Sequence, residues 1–160
     1  MQMQPMTSLL AVDVGLRTGL AFYARDGQLL RYCSHNLGNS TRLRRAVQGI
    51  LRANPDLAWL VIEGGGPLAD IWEHEAGRRQ IAVRRISAED WRERLLYPRQ
   101  HRNGLQAKHN ADVLARRVIA WSGAHRPPSL RHDAAEAILI GLWGVLEVGW
   151  LETLPKELRP

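Results

Sequence analysis

Three strand-like runs crowd the first 35 residues: 9–14 (LLAVDV), 18–24 (TGLAFYA) and about 28–35 (QLLRYCSH). Only Gly-containing turns separate them, at Gly15 to Gly19 and at Asp26-Gly27. Turns this short join antiparallel neighbours, so the chain opens as a three-stranded meander. Residues 58–63 (AWLVIE) form a continuous apolar run, as in a strand buried on both faces. A fifth strand is expected at 81–86. The apolar spacing predicts a helix capped by Ser40 or Thr41, its inner face Leu43, Ala46, Val47, Ile50 and Leu51, ending at Asn54-Pro55. A second opens at Gly64-Gly65-Gly66-Pro67 and carries Leu68, Ile71 and Trp72 on one side. Ser87-x-x-Asp90 caps a short third, residues 97–104 read as an exposed loop, and two helices close the chain at about 105–121 and 133–150. Strands first, then strand and helix alternating, make an α/β chain with a mixed sheet. Residues 1–160 fit a single domain with no repeat, linker or low-complexity tract.

With 45% apolar and 24% charged residues, the composition is that of a soluble globular protein. The single Cys33 excludes an internal disulfide framework and a cysteine-based zinc site, and a cytoplasmic location is the default expectation. The start, MQMQPMTS, lacks the positive region of a signal peptide. The segment AILIGLWGVLEVGWL is nearly all apolar, but it falls short of the ~20 residues that span a bilayer and contains Glu147. It reads as a core helix whose Gly141, Gly144 and Gly149 let a neighbouring backbone come close. Net charge is +6, and all cations but Lys108 and Lys156 are arginine, whose planar fork suits phosphate. Residues 78–131 are net +9 and the remainder net −3, the distribution expected of a polyanion-binding surface, although solvated helix faces would look similar.

Two segments share one pattern: Leu9-Leu10-Ala11-Val12-Asp13 and Trp59-Leu60-Val61-Ile62-Glu63. In each, four apolar residues lead to a carboxylate, and glycine follows within two positions. A carboxylate ending a buried strand is costly unless it is paired, hydrogen-bonded or bound to a cation. In Arg131-His132-Asp133-Ala134-Ala135-Glu136 the two acids lie three apart on one helix face. Asp-x-x-Glu before an apolar run is also a capping box, so capping competes with chemistry there. Together Asp13, Glu63, Asp133 and Glu136 form an all-oxygen ligand set that suits Mg²⁺ or Mn²⁺ rather than zinc. Two such ions ~3.5–4 Å apart serve phosphodiester hydrolysis.

These pieces resemble the RuvC family of Holliday-junction resolvases in the RNase H-like superfamily. The matching parts are Asp13-x-Gly15 with Gly19, Glu63 ending the fourth strand, and the HDAAEAILIG segment, in matching order over essentially the whole chain. The resemblance implies a five-stranded mixed sheet, antiparallel for its first three strands, with helices on both faces. It also implies a Mg²⁺-dependent endonuclease, Mn²⁺ substituting, that nicks branched DNA as a homodimer. By carry-over, Asp13, Glu63, Asp133 and Glu136 are its catalytic metal ligands. The family's common residue at position 136 is Asp, and its first hairpin more often has four residues between the glycines. The pattern is that of a divergent relative, phage-type or otherwise distant.

Arg92, Arg94 and Lys108 fall near basic positions of that family, and the loop bearing Arg99, His101 and Arg102 is a candidate junction contact. His132 is expected to contact phosphate or pack at the helix start; metal ligation is the alternative. Trp59, Trp121 and Trp143 read as core, while Trp72 or Trp91 could stack on an unpaired base or serve a dimer interface. Two other functions compete: an RNase of the same fold, like the YqgF-type proteins, and a catalytically silent nucleic-acid-binding domain. Retention of all four acids weighs against the second.

Overall fold

The computed structural model describes residues 5–100 and 102–160. Its sheet has the order β3-β2-β1-β4-β5. The strands are β1 (Ser8–Asp13), β2 (Arg17–Ala24), β3 (Leu29–Asn36), β4 (Leu57–Glu63) and β5 (Ala82–Ile86). The first three pair antiparallel, and β4 and β5 add on parallel to β1. This is the mixed α/β sheet the sequence predicts.

Successive strand residues point to opposite faces, so the central strands feed two cores. Leu10, Val12, Leu60 and Ile62 face α1 (Ser40–Ala53) and α2 (Gly66–Arg78), which bury Leu43, Val47, Leu51 and Trp72 against them. Leu9, Ala11 and Val61 face α5 (His132–Glu147) and belong to the core it shares with α3 (Ala88–Leu95) and α4 (Gly104–Ser122). Every residue of α5 from Asp133 to Leu146 is buried, as expected for a helix that is apolar all round. Its glycines admit side chains from the sheet rather than a neighbouring backbone. A Cβ on Gly141 would lie 2.2 Å from the Tyr23 ring, and the Tyr23 hydroxyl donates to the Ile138 carbonyl.

Several local expectations need correction. The α1 cap is Asn39, whose side chain accepts from the Arg42 N–H, one residue before the expected Ser40. Helix α5 stops at Glu147 rather than 150, and Gly149 turns the chain at φ +82°. Trp72 and Trp91 are fully buried, so neither is available to a base or an interface. Trp59 and Trp121 are half-buried against the core, and the Ser87–Asp90 capping box of α3 is present. Among the described residues no helix is long and apolar enough to cross a membrane.

Candidate active site

Strand register assembles the site. Asp13 and Glu63 end the parallel neighbours β1 and β4 in the same row, and Asp13 also pairs with Gly19, which in turn pairs with Ser34. The first turn of α5 rests on β2 at Gly19, where a Cβ would lie 1.9 Å from the Asp133 carbonyl oxygen. Only glycine permits that approach, and it carries Asp133 and Glu136 to the strand ends.

Carboxylate oxygens of Asp13, Glu63 and Glu136 lie within 4.8 Å of one another. Asp133 is adjacent but held apart from this triad: its Oδ2 accepts from Ser34 Oγ at 2.5 Å. Arg131 occupies the α5 cap position, so Asp133 lies inside the first turn and makes no cap. Crowding of acids shows in their protonation. The Asp13 carboxyl is pushed up to about 8, chiefly by burial, then by the charges of Glu136, Glu63 and Asp133, with a hydrogen bond to Glu136 adding to the rise. Glu63 is raised to about 7 by burial and by Glu136. The Trp91 indole and the Arg92 guanidinium oppose that rise.

Helix α3 thus backs the acids. Glu63 Oε2 and Trp91 Nε1 are both buried without a hydrogen bond of normal geometry, yet the indole N–H is close enough to favour the charged carboxylate. Arg92 approaches Glu136 at 3.8 Å, and His132 Nε2 lies 3.0 Å from Glu136 Oε1. An open hollow of about 510 Å³ adjoins Glu63, between the β4–α2 and β5–α3 turns. The sequence did not point to Ser34, and it offered Trp91 to a base or an interface rather than to Glu63. Ser34 could have been found from its place in the strand row of Asp13 and Gly19, whereas α3 is too short for its buried side to show as a period.

The basic segment is less free than its net charge implies. Arg78, Arg79, Arg84, Arg85, Arg92, Arg94 and Arg116 all have acidic partners. Arg94 bonds Glu147 at 2.8 Å, at the end of α5 away from the triad. Arg99, Arg102 and Lys108 have no ion pair among the described residues. Arg99 lies over the Tyr97 ring, and with Arg102, Leu105 and His109 it lines an open hollow of about 820 Å³. His101 lies outside the described residues.

No family model matches the sequence, and no curated protein matches it. Solved structures do. RuvC of Thermus thermophilus aligns at TM-score 0.65 and 15% identity over 89% of this chain and 96% of that chain. The same protein in complex with a Holliday junction substrate gives 0.63, again at 15% identity and the same coverage. The yeast mitochondrial Holliday junction resolvase Ydc2 gives 0.58 at 10% identity, over 94% of this chain and 84% of that chain. At such identities the likeness is one of architecture: this chain has the RuvC-type resolvase fold.

Proposed function

We propose that this protein is a metal-dependent, structure-selective endodeoxyribonuclease acting on branched DNA such as Holliday junctions. The convergence of Asp13, Glu63 and Glu136 within 4.8 Å at the ends of β1 and β4 carries the reading. The fold supports it, since a neighbour of the same architecture is bound to a Holliday junction substrate.

The residues fit a divalent ion. The donors are all oxygen, which suits Mg²⁺ with Mn²⁺ as substitute. Glu63 Oε2 is buried with no hydrogen bond of its own, and Asp13 avoids its neighbours' charge only by holding a proton. Asp13, Glu63 and Glu136 would hold one ion, and Asp133 is a single Ser34 bond away from joining them. When bound, such ions neutralise phosphoryl charge and acidify water for phosphodiester hydrolysis. The chain's own residues prepare the site: paired strands fix Asp13 and Glu63, while His132 and, more distantly, Arg92 hold Glu136 through its Oε1. Arg99, Arg102 and Lys108 would take the DNA backbone. The whole chain would serve as one nuclease unit, and a homodimer would present two centres to the paired strands of a junction.

The test is incubation of end-labelled four-way junction, linear duplex, RNA–DNA hybrid and single strands with Mg²⁺, Mn²⁺ or EDTA. Junction cutting in either metal and none in EDTA is expected. Cutting confined to the hybrid would favour the RNase reading, and binding without cutting on every substrate would leave a silent binding domain.

A further inference from the structure

Helix α1 carries Arg42, Arg44, Arg45 and Arg52 and no acidic residue. Its buried side is Leu43, Val47 and Leu51, so helical spacing places Arg42, Arg45 and Arg52 on one outward stripe, with Gly49 between the last two. All four arginines are exposed, and none has an ion pair among the described residues. Seven of the twelve arginines of 78–131, by contrast, have an acidic partner.

The isolated helix is arranged against itself. Arg42 lies three positions after the Asn39 cap, at the positive end of the helix dipole, where an anion rather than a cation is favoured. Arg42 and Arg45 stand three apart and repel. Gly49 weakens the helix interior, yet a Cβ there would touch nothing within 4 Å, so packing does not require glycine. It leaves bare backbone between Arg45 and Arg52. A polyanion laid along the stripe would relieve the dipole and the like-charge conflict together.

The stripe is also well placed. Strand β3 runs parallel to β1 and ends beside Arg17, at the sheet edge that holds Asp13 and Glu63. Helix α1 starts there, and Arg42 to Arg52 covers about 15 Å leading away from the acids. Helix α1 covers the opposite face of the sheet from α4, so the stripe and Lys108 lie on different sides of it.

We propose that α1 is a second phosphate-binding surface, holding a duplex arm of the DNA substrate on the face away from α4. That the duplex is an arm of a branched substrate rests on the nuclease reading; the surface itself does not. Fluorescence anisotropy with labelled linear DNA duplex, four-way junction and RNA duplex, over a NaCl series in EDTA, tests it without strand cutting. Each lost phosphate contact removes about 0.9 from the slope of log affinity against log salt. Arg42→Gln/Arg45→Gln/Arg52→Gln should therefore flatten the slope by roughly 2 to 3 on both DNAs, with thermal stability equal to wild type or higher. Arg45→Gln and Arg52→Gln singly, each expected to flatten it by about 0.9, keep the test readable if the triple variant is destabilised. Unchanged slopes in folded variants overturn the proposal, as does a wild type without affinity for duplex DNA. A loss confined to an RNA duplex also overturns it, by making RNA the partner. If the slopes flatten while wild type cuts no DNA with Mg²⁺, the surface stands and the nuclease reading alone fails.

Discussion

Asp13 and Glu63 keep protons in the folded state that the unfolded chain releases near pH 4. Their raised values, about 8 and about 7, mean that their contribution to metal-free stability is greatest below about pH 4 and falls as pH rises through 8. Asp13→Asn cannot ionise, so its stability relative to wild type should climb across that window. Urea midpoints in EDTA at about pH 5 and about pH 9 check this; a difference that stays constant would show that Asp13 titrates normally. Protons and Mg²⁺ compete for the same oxygens, so the rise in melting temperature on adding Mg²⁺ should grow over the same range. Asp133 offers a separate test, because it caps nothing and its one hydrogen bond comes from Ser34. Asp133→Asn should melt close to wild type in EDTA, lose most of the Mg²⁺ response and lose cleavage. An active variant with an unaltered Mg²⁺ response would remove Asp133 from the site.

The join between β2 and the first turn of α5 decides whether the acids of α5 reach the strand ends at all. Alanine at position 19 would put a methyl group 1.9 Å from the Asp133 carbonyl oxygen, inside any allowed contact. Gly19→Ala should cost about 1–3 kcal/mol, the usual range for overpacking, and should lose activity beyond what its remaining stability explains. Gly49→Ala makes the opposite case: the helix interior should gain roughly 1 kcal/mol with no clash to offset it. Calorimetric melting of both variants separates a glycine the fold requires from one it does not. The strands and the carboxylates that end them were readable because four apolar residues followed by an acid and a glycine have no comfortable soluble alternative. The α1 cap was not, since Asn39, Ser40 and Thr41 are all competent caps and only the turn leaving β3 chooses among them. Trp91 was hidden for a related reason: α3 is a single short helix, and its inward direction depends on what Glu63 and α5 place beside it.

Charge behaves differently across the molecule than along the chain. The strongly basic stretch 78–131 suggested one polyanion surface, but Arg84, Arg92 and Arg94 in it are paired with acids remote in sequence, as Arg84 is with Glu147 across 63 residues. No reading of local composition could anticipate that. Among the described residues, cations without an ion pair include Arg42, Arg44, Arg45 and Arg52 on α1 and Arg99, Arg102 and Lys108 around the start of α4. DNA affinity should therefore depend steeply on salt, and replacing Arg94, which is committed to Glu147, should change the slope far less than replacing Arg99 and Arg102 together. Parallel salt titrations of the two variants decide between them, and equal losses would mean that Arg94 leaves its ion pair to meet DNA. The reaction proposed here depends on the sheet edge where Asp13, Glu63 and Glu136 converge. The most direct measurement is cleavage of an end-labelled four-way junction by wild type and by Glu63→Gln, in Mg²⁺ and in EDTA, with binding measured alongside. Wild type should cut only with metal. Glu63→Gln should bind the junction as wild type does, yet lose more than the roughly 100-fold that removal of an outer-sphere partner costs. Cutting at near wild-type rate by Glu63→Gln, or cutting that persists in EDTA, would contradict a metal site built on Asp13, Glu63 and Glu136.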